Sequence, residues 1–469
     1  MKTSRDTQRL QKTEYTGYLV ENNVEHEGKQ GVHRVSPAVP EGETSAEEYG
    51  TLERILSREN MQRAYKRVIA NKGSHGVDGM TTDELRDFLI QEWPEIKLAI
   101  LQGKYKPQPV RRVEIPKPNG GIRLLGIPTV LDRLIQQAIA QELTLIFDKD
   151  FSNSSYGFRP NRSAKEAVKK ANEYINEGYT WVVDLDLEKF FDKVNHDILM
   201  SRVARKVKDK RVLKLIRAYL KSGVMLNGIK VKNEEGTPQG GPLSPLLANI
   251  ILDDLDKELE RRGHKFCRYA DDCNIFVKSK RAANRVRESI TEYIEKVVKL
   301  KVNKEKSAVD RPWKRKFLGF SYYIIRGKSN IRIAEESIKK FKSKIREITS
   351  RRKPISTEER IEKLNQITTG WVNYFSLAKG KKHMEELDRW IRRRLRMCEW
   401  KLWKKVRTRI RNLIRLGMTP YFAKIYANTR KGYWHIANSH ILATTLTNEY
   451  FEKLGYKSLT SQYSKMHEN

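Results

Sequence analysis

The sequence predicts an α+β chain in which a mixed strand-and-helix region precedes a mainly helical one. Three observations predict it. Segments with strand alternation, at 181–187 and 268–277, fall within a region running from about 111 to 325. From Ile338 onward apolar residues recur at helical spacing. The 469 residues suffice for two or three domains with separate cores.

The elements follow in order. Residues 1–50 are polar, with clusters such as Pro37 to Gly42, and read as a disordered tail. Over 51–110 a helical period begins with Leu52, Ile55 and Leu56, then Met61, Tyr65, Val68 and Ile69. A loop with Gly73, Gly76 and Gly79 follows. In 326–410 the helical stripes are Ile338, Phe341, Ile345, Ile348; Ile361, Leu364, Ile367, Trp371; and Leu387, Ile391, Leu395. Residues 411–469 form a basic terminal segment.

Charge narrows the partners. The net charge is +35, from 93 Lys and Arg against 58 Asp and Glu. Residues 311–430 alone hold 34 basic against 10 acidic side chains, a net of +24. Such a surface attracts a polyanion, and nucleic acid is the commonest large one. The three cysteines, Cys267, Cys273 and Cys398, form no CxxC pair, which argues against a disulfide framework or structural zinc. No run approaches the roughly 20 apolar residues of a membrane span, and no signal peptide opens the chain. A cytoplasmic protein without a membrane partner is expected.

Two acidic segments carry chemistry. In Trp181-Val-Val-Asp-Leu-Asp-Leu-Glu-Lys-Phe-Phe-Asp192, a strand would turn Val183, Leu185 and Leu187 one way and Asp184 and Asp186 the other. In Arg268-Tyr-Ala-Asp-Asp-Cys-Asn-Ile-Phe-Val277, a hairpin would hold Asp271 and Asp272 at its tip. Clustered carboxylates repel one another, and a divalent cation reverses that balance. Between the segments, Gly240 and Gly241 would let backbone approach a ligand closely. Ser244 followed by Pro245 would start a helix with Leu247, Ile251, Leu255 and Leu259 as its buried stripe.

Tyr269-Ala-Asp-Asp272 stands in order after the Asp186 strand and Gly236-Thr-Pro-Gln-Gly-Gly-Pro-Leu-Ser-Pro-Leu-Leu-Ala-Asn249. Together they resemble the signature of reverse transcriptases. Further blocks stand in the family's order: 115–128, 155–163, 300–306 and 317–320. Residues 52–82, with Gly76-Val-Asp-Gly-Met80, resemble the N-terminal extension of group II intron proteins. Leu364-Asn-Gln, Gly370-Trp-Val-Asn-Tyr-Phe375 and Leu395-Arg-Met-Cys-Glu-Trp400 resemble their maturase domain. No nuclease module with His and paired Cys is seen, which resembles the endonuclease-lacking class C.

The resemblance implies a right-hand polymerase fold. The N-terminal extension of the fingers would take 51–110, fingers and palm 111–325, a helical thumb or maturase domain 326–410, and a nucleic-acid-binding segment 411–469. It implies RNA-directed DNA synthesis with two Mg²⁺ ions, Mn²⁺ being a substitute. Asp186, Asp271 and Asp272 would be catalytic and hold the metal, with the Leu187 carbonyl. Lys117 and Arg123 would hold the triphosphate, Gln239 would touch the nucleotide, and Lys306 would act as a general acid. Phe191 would exclude a 2′-hydroxyl, with Phe190 competing for that role. Arg159 and Arg162, with Arg389, Arg393 and Arg396 on one thumb helix, would meet nucleic acid. In 421–434, Tyr421, Phe422, Tyr426, Tyr433 and Trp434 could stack on bases or line a core. The implied partners are group II intron RNA, a template–primer duplex, dNTPs and target DNA. A host-adopted relative in defence or repair, and a splicing-only RNA-binding maturase, stay open as alternatives.

Overall fold

The computed structural model describes residues 50–468, except 117–119, 227–228, 232–234 and 237–239. Apart from Gly50, the tail expected over 1–50 lies outside them. The chain divides into two compact units between Pro312 and Trp313.

The first unit is built on a four-stranded sheet in the order β6-β7-β3-β8: β3 is Trp181–Leu185, β6 Lys265–Tyr269, β7 Asp272–Val277 and β8 Ala308–Asp310. All three pairings are antiparallel. Opposite residues share a face, so Val183 joins Ile275 and Leu185 joins Cys273 on the core side. Val183, Leu185 and Leu187 are buried as expected, while Asp184 and Asp186 are half-buried on the other side.

The Ser244–Arg261 helix shares that core, with Leu247, Ile251, Leu255 and Leu259 all buried. Its start differs from expectation: Leu243 takes the N-cap position and no side chain caps the helix, so Ser244 is its first residue.

A second sheet has the order β2-β1-β4-β5, with β1 Val110–Pro116, β2 Ile122–Ile127, β4 Val224–Leu226 and β5 Ile229–Val231. β1 and β2 form an antiparallel hairpin, and β1 runs parallel to β4. The N-terminal helices Thr51–Ile55 and Arg58–Ala70 pack against the Val130–Phe147 helix. Buried Asn60 fixes them, its Nδ2 donating to the carbonyls of Ile55 (2.8 Å) and Ala138 (3.0 Å).

The second unit opens with a two-stranded ribbon, β9 Phe320–Ile325 and β10 Lys328–Ile333. The ribbon pairs with no other described strand, and Phe320 packs on Tyr374 and Phe375 of the helical region (ring centroids 5.6 and 5.0 Å). It therefore belongs with the helices rather than with the strands before residue 325. Helices Glu335–Ile348, Thr357–Phe375 and Lys381–Leu402 follow. Phe341, Trp371 and Phe375 form a continuous aromatic stack (4.2 and 5.0 Å). Leu387, Ile391 and Leu395 are buried as their spacing predicts.

Residues beyond 411 are not a separate segment. Buried Asp388, on the Lys381–Leu402 helix, accepts from Tyr456 Oη (2.9 Å), Ser458 Oγ (2.8 Å), Leu459 N (2.9 Å), Thr460 N (2.8 Å) and Thr460 Oγ1 (2.6 Å). One carboxylate thus caps the Leu459–Lys465 helix and ties it to the helical domain. Asp388→Ala strands several of these buried donors, at a cost of about 1–3 kcal/mol for each group left unsatisfied. The expected result is early proteolytic cleavage near Gly455 and a lower urea midpoint; unchanged digestion would contradict it.

Candidate active site

The β6–β7 connection is a two-residue turn, with Tyr269 opposite Asp272 and Ala270 and Asp271 between them. Ala270 takes φ 56°, unusual for a residue with a Cβ. Asp271 therefore sits in the turn, while Asp272 opens β7 and is exposed. Consecutive residues at a strand end point different ways, so the two acids do not act as equals.

Asp271 is brought to Asp186. Burial pushes the Asp271 carboxyl up, and the like charge of Asp186 adds to it, while Arg123 and Arg268 pull the other way. Asp186 is anchored from the segment after Leu300. Its N–H donates to Ser307 Oγ (3.0 Å), and its carbonyl accepts from Asn303 N (2.8 Å). Asn303 Oδ1 in turn accepts from the N–H groups of Glu305 and Lys306 (3.2 Å each). This sets Lys306 so that its Nζ lies 3.7 Å from Asp186 Oδ2.

Leu187 faces Val302 in an antiparallel bridge whose hydrogen bonds lie on either side, Asn303 N to Asp186 O and Glu188 N to Lys301 O. That register leaves the Leu187 carbonyl unused by the neighbouring strand. Two half-buried carboxylates whose charges act on each other, together with that carbonyl, offer oxygen ligands of the kind Mg²⁺ or Mn²⁺ takes. Magnesium needs only one or two protein carboxylates, the rest of its shell being phosphate and water. Among the described residues no group of three or more His, Cys, Asp or Glu is disposed to hold an ion.

Beyond Asp186 the chain turns through Lys189 at φ 46° into the short Phe190–Lys193 helix. Phe190 is buried and Phe191 half-buried, their rings 5.0 Å apart. Phe190 is thereby a core residue, and Phe191 packs half-buried against the same core. Arg123 stands exposed on β2 opposite Ile115, near enough for its charge to act on Asp271. Lys117 and Gln239 lie outside the described residues.

Gly240 and Gly241 serve a different end from the one expected. A Cβ on Gly240 would lie 2.5 Å from the Gly126 carbonyl oxygen, and one on Gly241 would strike Gln136 Oε1. Their close approach is to the protein's own β2 and the adjoining helix.

The basic residues divide. Arg159 is an internal brace: it donates to Asp148 Oδ1 (2.6 Å) and to the carbonyls of Ser152 (2.5 Å), Ser155 (3.0 Å) and Asp148 (2.9 Å). With its side chain 5% exposed, it is not a phosphate ligand. Arg162 is half-buried, donating to Asn153 Oδ1 (2.7 Å) and lying over Tyr156. On the thumb helix, Arg389 is exposed. Arg393 instead stacks on Trp434 (3.9 Å) and donates to its carbonyl (2.9 Å), and Arg396 donates to the Leu446 carbonyl (2.9 Å). The C-terminal segment therefore occupies part of the face expected to meet phosphate. Tyr421 and Phe422 are exposed rather than core residues.

Sequence reasoning missed the brace under the turn. Arg268 is wholly buried beneath it. Its guanidinium donates to both oxygens of buried Asp256 (2.7 and 2.5 Å), to Asn249 Oδ1 (3.0 Å), to Ser155 Oγ (2.8 Å) and to the Ala270 carbonyl (2.9 Å). Asn249 Nδ2 donates to the Gly157 carbonyl (2.8 Å), and a Cβ on Gly157 would strike Ala270 N. Burial raises the Asp256 carboxyl against the pull of Arg268. The available signal was an Arg three residues before the acidic pair, next to the apolar Phe266 and Cys267 of its strand.

Comparisons with known proteins match two regions of the chain to families. Residues 115–322 match the family described as reverse transcriptase (RNA-dependent DNA polymerase). Residues 338–417 match the group II intron, maturase-specific domain. Protein YkfC of Escherichia coli (strain K12) is 34% identical over 295 residues, which is 54% of this chain and 77% of that protein. The group II intron-encoded protein LtrA of Lactococcus lactis subsp. cremoris is 40% identical over 206 residues, 44% of this chain and 34% of LtrA. A putative COX1/OXI3 intron 2 protein of Saccharomyces cerevisiae is 34% identical over 202 residues, 42% of this chain and 23% of that protein. With a reverse transcriptase palm, a maturase-specific thumb and paired carboxylates at the palm turn, the chain belongs to the group II intron reverse transcriptase–maturase family.

Proposed function

We propose that this chain copies group II intron RNA into cDNA at the Asp186–Asp271 site and assists splicing of the same RNA. The observation that carries the reading is the half-buried Asp271 carboxyl in the β6–β7 turn, raised by desolvation and by the like charge of Asp186. In this reading Asp186, Asp271 and the Leu187 carbonyl would hold two Mg²⁺ ions, with Asp272 supporting them from β7; bound there, the ions would supply the charge that activates the primer 3′-hydroxyl and offsets the departing pyrophosphate.

The chain's own residues position the rest. The 3′-oxygen forms its bond to the α-phosphorus as the bond to the bridging oxygen of pyrophosphate breaks. Lys306 Nζ, beside Asp186, gives its proton to that leaving oxygen. Lys117 and Arg123 hold the triphosphate, Gln239 touches the nucleotide, and Phe191 lies under the sugar. Arg162, Arg389 and the exposed Tyr421 and Phe422 meet template–primer duplex, intron RNA and target DNA by phosphate contact and stacking. The reaction belongs in a bacterial-type cytosol. No described helix is long and apolar enough to cross a membrane.

Two experiments test the finer roles. Addition of the protein to a group II intron precursor should raise its splicing rate at low Mg²⁺; no acceleration with the cognate intron removes the splicing role. Phe191→Ala should lower the preference for dNTP over rNTP by about tenfold or more, since rejecting one added hydroxyl is worth about a hundredfold in a shaped pocket. An unchanged preference would assign sugar selection elsewhere.

A further inference from the structure

The segment that carries Phe191 is tied at its end to Glu235 and Gly236. Gly236 N donates to the Val194 carbonyl (2.8 Å), and Asn195 bridges to Glu235. Gly236 takes φ 86°, and a Cβ there would lie 2.7 Å from the Phe191 carbonyl oxygen and 2.8 Å from that of Asp192. Its backbone is thus pressed onto the residues that hold the Phe191 ring.

One side chain closes this joint. His196, first residue of the His196–Val203 helix, is 4% exposed, with Nε2 2.7 Å from the Gly236 carbonyl oxygen. A carbonyl only accepts, so Nε2 carries a proton and donates it to Gly236. Nδ1 is buried and has no hydrogen-bond partner among the described residues. A buried polar atom left unsatisfied is a cost that an apolar residue here would avoid. What the imidazole supplies in return is one hydrogen bond, and that bond fixes the carbonyl of the residue pressed against Phe191.

We propose that His196 is a positioning residue for sugar selection. Its Nε2–H holds Gly236, and Gly236 sets the height of the Phe191 ring against the incoming nucleotide. His196 touches no substrate. Asp186 and Asp271 are anchored through Ser307, Asn303 and Arg268, none of which His196 contacts among the hydrogen bonds described. Loss of the His196 bond therefore acts on nucleotide fit rather than on the metal carboxylates. The inference rests on the polymerase reading and on the place given there to Phe191.

The test is RNA-templated primer extension by the full chain, with dNTP and rNTP kinetics for wild type, His196→Phe and His196→Gln. Phenylalanine keeps a ring and removes the donor; glutamine keeps a donor and removes the ring. His196→Phe should lower the dNTP-to-rNTP ratio of kcat/KM by about tenfold, within the range one hydroxyl commands. The change should lie mainly in a lower KM for rNTP, at a melting temperature close to wild type. His196→Gln should keep the wild-type ratio. An unchanged ratio in folded His196→Phe overturns the proposal, and so does an equal fall in His196→Gln, which would assign the effect to ring packing. Should His196→Phe not fold, a wild-type ratio in His196→Gln supports the proposal and a fallen one overturns it. Failure of the wild type to extend any primer would instead sink the polymerase reading itself.

Discussion

Asp271→Asn is expected to abolish RNA-templated synthesis while making the metal-free protein more stable at neutral pH. The two effects have one origin. Burial and the nearby Asp186 charge raise the Asp271 carboxyl above its ordinary value. A carboxyl raised in the folded chain binds more protons folded than unfolded. Its contribution is therefore most favourable below the ordinary carboxylate pKa, and stability is lost as pH rises from there through the raised value. At neutral pH the ionised side chain is a burden that a divalent cation relieves. Asparagine removes both the burden and the ligand. Losing several kcal/mol of charge stabilisation at 1.36 kcal/mol per tenfold lowers the rate by about a thousandfold. Wild type should gain melting temperature on Mg²⁺ addition, more at neutral than at acidic pH, and Asp271→Asn should gain little. Equal gains in both proteins would show that Asp271 is not a ligand.

Asp256→Ala is the second large effect. It leaves the Arg268 guanidinium buried and unpaired beneath the turn, a change that costs about 3–5 kcal/mol. The Ala270 carbonyl and Ser155 depend on the same guanidinium, so activity should fall before unfolding does. Denaturation curves and primer extension at matched fractions folded separate the two losses. An active, wild-type-stable Asp256→Ala would show that the turn holds its shape without the pair.

Much of this was legible because periodicity is local. Val183, Leu185 and Leu187 had to face a core if Asp184 and Asp186 did not, and the Leu247 and Leu387 stripes repeat every turn or so. What was not legible depends on partners far along the chain. That Asp271 lies in the turn while Asp272 opens β7 depends on the backbone at Ala270. Arg159 read as a phosphate ligand because its acceptors are Asp148 and backbone carbonyls that spacing does not reveal. Arg393 and Arg396 faced solvent on a helical wheel, and only tertiary packing supplies the carbonyls of Trp434 and Leu446. The roles of Asn303 and Ser307 depend on a strand more than a hundred residues away.

The most direct test of the central claim is primer extension on an RNA template with dNTPs and Mg²⁺, comparing wild type with Asp271→Ala. The account predicts cDNA synthesis by the wild type and its collapse in the variant, with both proteins folded. Undiminished synthesis by Asp271→Ala, or none by well-folded wild type on several templates, would contradict it.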